Sequence, residues 1–135
     1  MAALIVDANV LLRLITREPR GMYEAARSFL LELEEDGEKA AVHPVHAAEV
    51  VYVLEGELYG LAPAEAAAEL LTLLEGRVFA PVEEPALLRA LAAYPGSGLD
   101  FPDVFLLAWA RERGLRALSF DRKLASKYPD ITVPG

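Results

Sequence analysis

The chain has 135 residues, is 54% hydrophobic, contains no cysteine and carries a formal net charge of −8. That length leads us to expect one domain, spanning 1–135, with a substantial core; no apolar run reaches the roughly 20 residues that cross a bilayer, and disulfides and thiolate metal sites are excluded. The acidic balance argues against a surface that binds nucleic acid broadly, while leaving room for a carboxylate metal site and a basic partner.

The start, Met1-Ala2-Ala3-Leu4, lacks the basic region of a signal peptide, so a cytoplasmic setting is expected. Residues 2–7 read as a first strand, an apolar run that ends abruptly in Asp7. Residues 9–16 read as a short helix, broken by Arg17-Glu18-Pro19-Arg20-Gly21. From Tyr23 to Glu35 the apolar residues recur at the helical period, and Asp36-Gly37 ends that helix. Residues 40–42 form a second short strand, closed by His43-Pro44.

Helices are expected over 45–59 and 63–75, with Gly60 and Gly76 as stops and Pro63 as a start. A third strand covers 78–82 and a helix 84–93, followed by the small-residue loop Tyr94-Pro95-Gly96-Ser97-Gly98. Residues 102–113 form a very apolar helix closed by Gly114. A fourth strand at 116–120, a short helix at 121–128 and a fifth strand at 131–133 complete the chain. Short apolar strands separated by helices imply an α/β fold with a parallel five-stranded sheet and right-handed crossovers.

Most of the 21 acids fall on polar helix faces, such as Glu32, Glu34, Glu35, Asp36 and Glu38. Four sit differently. Asp7 ends the first strand, where ligands of open α/β sheets bind. Glu49 is the one acid in the apolar first turns of its helix. In Asp100-Phe101-Pro102-Asp103 the first acid reads as an N-cap, which leaves Asp103 unexplained by capping. Asp121 repeats the Asp7 pattern of apolar strand, acid, helix. Capping or a favourable helix-end charge accounts for each acid singly. Together they place carboxylates at strand ends and helix starts of one sheet, where they would converge on one cleft and repel unless a hard divalent cation neutralised them. Asn9, the only Asn in a chain without Gln, stands two residues from Asp7.

With Val6-Asp7-Ala8-Asn9, Ala48-Glu49-Val50, Asp100-Phe101-Pro102-Asp103 and Ser119-Phe120-Asp121 in this order, the chain resembles the PIN-domain nucleases, especially the VapC-type toxins of toxin–antitoxin pairs. Asp121 follows Asp103 by 18 residues, as in the family. The resemblance covers essentially the whole chain; no single motif is specific, and the ordered set carries the likeness.

The resemblance implies an αβα sandwich and cleavage of RNA dependent on Mg2+ or Mn2+. Asp7, Glu49, Asp103 and Asp121 would be the catalytic and metal-binding quartet, with Asp7 as central ligand, Asp103 and Glu49 sharing its ion, and Asp121 acting through water or a second ion. Asn9 and Ser119 would orient the quartet; the family's commoner Thr is Ser119 here, which keeps the hydroxyl. Asp100 matches an extra acid found in part of the family. The likeness further implies 5′-phosphate and 3′-hydroxyl products, an antitoxin partner and a homodimer. In such a site a metal lowers the pKa of bound water and shields the phosphate, so no histidine base is needed.

His43 and His46 form His-x-x-His-x-x-Glu with Glu49, but Pro44 separates His43 from the helix, so a zinc site is disfavoured. Arg13, Arg17 and Arg20 after the first acid, and Arg122 and Lys123 after the last, are candidates to grip RNA phosphates, although solvated surface charge explains any one of them. A phosphotransfer receiver domain would want paired acids after the first strand and a Lys after the fifth, and a haloacid-dehalogenase-like phosphatase would want Asp at position 9; this chain has neither. A PIN fold that only binds partners is the remaining alternative.

Overall fold

The computed structural model describes residues 2–135. In chain order the elements are β1 (Ala2–Ile5), α1 (Ala8–Thr16), α2 (Arg20–Glu35), β2 (Lys39–Val42), α3 (Pro44–Glu55), α4 (Pro63–Leu74), β3 (Phe79–Pro81), α5 (Glu84–Ala93), α6 (Phe101–Glu112), β4 (Ala117–Leu118), α7 (Arg122–Lys127) and β5 (Ile131–Thr132). The expected elements are all present, and most ends move by one to three residues. The third helix differs more: it stops at Glu55, where Gly56 takes an extended conformation, instead of running to Tyr59.

Local chemistry accounts for these boundaries. Pro44 and Pro63 occupy first helical positions, where a missing N–H leaves no bond unmade. The Glu65 carboxylate accepts from the Ala62 N–H at 2.9 Å and so holds the start of α4. At the end of α2 the chain turns through Gly37 at φ +74°, which lets Gly37 and Glu38 donate back to the Glu34 and Leu33 carbonyls at 2.9 and 3.0 Å.

β1, β2 and β3 form a parallel sheet in that order, with Ile5 opposite Ala41 and Ala41 opposite Ala80. A parallel sheet puts the carboxyl ends of its strands on one edge, so Asp7, His43 and Glu83 all emerge there. α3 turns Ala47, Val50, Val51 and Leu54 into the core, the i, i+3, i+4, i+7 stripe of a packed helix. Leu11 of α1, Leu70 of α4, and Leu87 and Leu91 of α5 close on the same core. Among the described residues no charged side chain is buried.

The α/β class holds, but the grouping of the five strands differs from one continuous sheet. β4 and β5 pair with each other in parallel, Ala117 with Ile131 and Leu118 with Thr132, as a separate two-stranded sheet. Each contributes only two residues of ladder, and they pack over a small core of their own, Ala117, Leu124 and Ile131. Leu99 touches both this core and the main one. Among the described residues no strand neighbours the outer side of β1, and Ile5 is 57% exposed.

Candidate active site

Asp7 leaves β1 in extended conformation and caps α1, its Oδ1 accepting from the Val10 N–H at 3.0 Å. Asn9 lies exposed in the first turn of that helix. Asp121 does the same for α7: Oδ1 accepts from the Leu124 N–H at 3.0 Å. Ser119 Oγ accepts from the Asp121 N–H, also at 3.0 Å, which fixes the turn that presents this acid. Ser119 is thus a hydroxyl that holds the backbone of Asp121.

Asp100 stands at the N-cap of α6, but its side chain makes no capping bond. Its carbonyl instead accepts from the Asp103 and Val104 N–H groups at 3.0 and 3.2 Å. Capping thus does not account for the Asp100 carboxylate, contrary to the sequence reading. Asp103, in the first turn of α6, is half-buried. Its carboxyl is held above the usual range, first by burial and then by the negative charges of Asp100 and Asp121. Asp100 and Asp121 are thus both close enough for their charges to act on Asp103.

Of the other two expected ligands, neither Asp7 nor Glu49 is among the charges that raise Asp103. Glu49 is exposed on α3. Asp7 opens on a shallow cleft of about 400 Å³ between β1 and α2, lined also by Leu4, Val10 and Phe29. Asp100 instead borders a cleft of about 750 Å³ between α3 and α6, with Tyr52, Glu55 and Tyr94. Among the described residues no group of three or more His, Cys, Asp or Glu side chains is arranged to hold a metal ion. The donor chemistry nevertheless suits a hard cation: the acids offer oxygen only, and Asp103 sits where positive charge would be stabilised.

The histidines have other work. His43 caps α3, its Nδ1 accepting from the Val45 N–H at 3.1 Å, which places the imidazole proton on Nε2. His46 meets the His43 ring edge-on at 6.4 Å, and its own Nδ1 is buried without a partner.

Two polar clusters near the site were not foreseen. Glu83 follows β3 in a left-handed conformation (φ +55°) and accepts from Trp109 Nε1 at 2.9 Å and from Arg113 Nη2 at 2.7 Å. Arg113, which also lies over the Trp109 ring at 5.0 Å, holds the Glu83 carboxyl below its usual range. This cluster ties the carboxyl edge of β3 to α6. In the second, the buried Tyr94 hydroxyl donates to Glu55 Oε2 at 2.6 Å, and burial together with that carboxylate raises the phenol well above its usual range. Neither cluster has a signal in local sequence, since each joins residues 26 or more apart.

The family model described as PIN domain matches residues 4–128. No curated protein matches the chain. Among solved structures, the chain is similar to one in a toxin–antitoxin complex from Klebsiella pneumoniae, at 20% identity over 99% of this chain and 98% of that one, with a TM-score of 0.37. It is similar also to a chain of VapBC2 from Rickettsia felis bound to a DNA fragment from their promoter, at 14% identity over 97% and 96%, with a TM-score of 0.39. With a family model spanning the segment from the strand that delivers Asp7 to the helix that Asp121 caps, the chain belongs to the PIN domain family.

Proposed function

We propose that this protein is a ribonuclease dependent on Mg2+ or Mn2+ and the toxin of a VapC-type toxin–antitoxin pair. In this reading Asp7, Glu49, Asp103 and Asp121 hold the metal, with Asn9, Ser119 and Asp100 in support. The observation that carries it is Asp103: a half-buried carboxylate set among two other negative charges, which an adjacent cation would relieve. The order of the acids along the chain and membership of the PIN family support the same reading. When bound, the ion supplies an acidified water and shields charge on the phosphate. Ser119 and the α7 cap keep the Asp121 carboxylate in place, and the absence of capping by Asp100 leaves both of its oxygens available.

An antitoxin with a basic side chain aimed at the acids would complement the charge of −8. A homodimer is the assembly we infer, because α3 presents Val45 and Tyr52, 64% and 81% exposed, two turns apart on one face. Sedimentation as a monomer at micromolar concentration would count against it.

The test of the activity is cleavage of RNA and of single-stranded DNA by the purified chain, with Mg2+, with Mn2+ and with chelator. Metal-dependent cleavage of RNA is the expected result. Full activity in chelator refutes the metal site, and RNA binding without cleavage under any metal assigns the chain to a silent binding module.

A further inference from the structure

Arg13 differs from the other cations near the first acid. Arg20 is exposed and pairs with Glu24 at 3.0 Å, and Arg17 is exposed with its guanidinium over the Tyr23 ring at 5.9 Å. Arg13 is half-buried in the last turn of α1 and makes no ion pair among the described residues, although the chain carries 21 acids. Its Nε is sealed from solvent without a hydrogen-bond partner. One contact holds the other end: Nη2 reaches the hydroxyl of Tyr59, in the connection between α3 and α4, at a long 3.5 Å. A guanidinium has five N–H donors; with Nε closed off from solvent, the Nη donors not on Tyr59 are those left for an incoming oxygen, and a hydroxyl that accepts from Arg13 keeps its own proton free to donate.

We propose that Arg13 and Tyr59 form a seat for a backbone phosphate of single-stranded RNA, beside the acids rather than among them. The inference rests on the ribonuclease reading above and adds a residue that positions the strand. Arg13 lies six residues beyond Asp7, about 9 Å along the α1 axis at 1.5 Å per residue. Asn9, four residues before it, shares its helix face, so a polar stripe runs from the carboxyl end of β1 to the guanidinium. The planar fork of arginine matches two phosphate oxygens, and the Tyr59 hydroxyl supplies a further donor. An unpaired and partly desolvated cation is a place where a phosphate can be held.

The experiment uses the full chain carrying Asp7→Asn, so that RNA is bound without being cut, and a fluorescent single-stranded oligoribonucleotide titrated at several KCl concentrations. Adding Arg13→Gln should weaken binding and lower the slope of log affinity against log salt by about 0.7, the loss of one phosphate contact on a single strand. Arg13→Lys should retain the slope, and Tyr59→Phe should weaken binding about threefold with the slope unchanged. Inorganic phosphate at matched ionic strength should compete weakly; saturation by it at millimolar concentration, with no effect of Arg13→Gln on RNA, would assign the seat to free phosphate and overturn the proposal. An unchanged slope in a folded Arg13→Gln overturns it too. If Arg13→Gln fails to fold, the other two variants decide, and unaltered RNA affinity in Tyr59→Phe overturns it. RNA binding with no Arg13 dependence defeats this proposal alone, whereas no RNA binding by the parent defeats the ribonuclease reading with it.

Discussion

Asp103→Asn separates a metal ligand from an acid that merely starts a helix. The Asp103 carboxyl is held above its ordinary value of 3.8 by burial first, then by Asp100 and Asp121. Since the folded state binds this proton more tightly than the unfolded one, stability falls as pH rises from the unfolded value through the folded one, and the full penalty is present at neutral pH. Asn keeps the shape and removes the charge. Burial and the charges of Asp100 and Asp121 all oppose the carboxylate, so neutralisation is expected to be a gain. Each tenfold change in proton affinity corresponds to about 1.4 kcal/mol. The side chain is only half-buried, so solvent screens part of the conflict, and a gain on the order of 1 kcal/mol is expected, typical of removing such a local strain. With about 2.1 cal/mol/K of unfolding entropy per residue, that is a rise in Tm of roughly 3–4 °C for a chain of this size. Thermal melts in chelator at pH 7 and near pH 4 measure it: the gap between variant and parent should be present at pH 7 and narrower at pH 4. Mg2+ or Mn2+ should then stabilise the parent, since the ion binds only the folded cluster, and stabilise the variant much less. Equal responses to metal would reduce Asp103 to a helix-end acid and require a site without it.

Three further outcomes are expected. Asp7→Asn should abolish metal-dependent RNA cleavage and leave the melting temperature nearly unchanged, because an amide oxygen still caps α1, whereas Asp7→Ala should also lose about 1 kcal/mol of stability; activity and melting curves on both variants distinguish the roles. Tyr94→Phe should cost about 1.5 kcal/mol in urea unfolding, the low end for a bond to a charged group, because Glu55 can still meet water. Glu83→Gln should destabilise at pH 7, and its deficit should shrink as pH falls below 4.5 through the lowered folded value, where the parent too loses the charge that Arg113 and Trp109 hold; pH-dependent melts check this sign.

The helices are legible in the sequence because their signals are local. Pro44, Pro63, Gly37 and Gly114 mark ends through their own backbone restrictions, and the apolar stripe of α3 is a property of periodicity. The end of α3 is misplaced by the same reasoning because Gly60 is the stronger-looking stop, while Gly56 ends the helix by going extended. Strand positions are legible as well; their partners are not. Whether β4 lies beside β1 or only beside β5 is not encoded by any pattern within Ala117-Leu118. The same limit governs the site. Each acid can be placed at a strand end or helix start, but that Asp100 and Asp121 are the charges acting on Asp103 is not written in any local pattern. The tie from Glu83 to Trp109 and Arg113 joins α6 to the sheet across 26 and 30 residues, and three individually ordinary surface residues give no sign of it.

Capping and metal binding are usually weighed as rival explanations of an acid at a helix start, but here they are compatible in one side chain. A carboxylate has two oxygens, and Asp7 and Asp121 each commit only Oδ1 to the helix. The cap fixes the side-chain rotamer and thereby the direction of Oδ2, so a ligand arriving there would find one torsional freedom already removed. Ser119 extends the same effect by fixing the backbone of Asp121. Asp103 and Asp100 stand at the other extreme: no cap holds them, and Asp103 is strained by its neighbours. A site assembled this way divides its labour. If these acids hold a metal, the capped ones would supply fixed oxygens without loss of fold stability, and the crowded ones the field that makes a cation favourable. That division explains why the acids at strand ends should be sensitive to Ala but tolerant of Asn in stability, while Asp103 should gain stability from Asn and lose its response to metal.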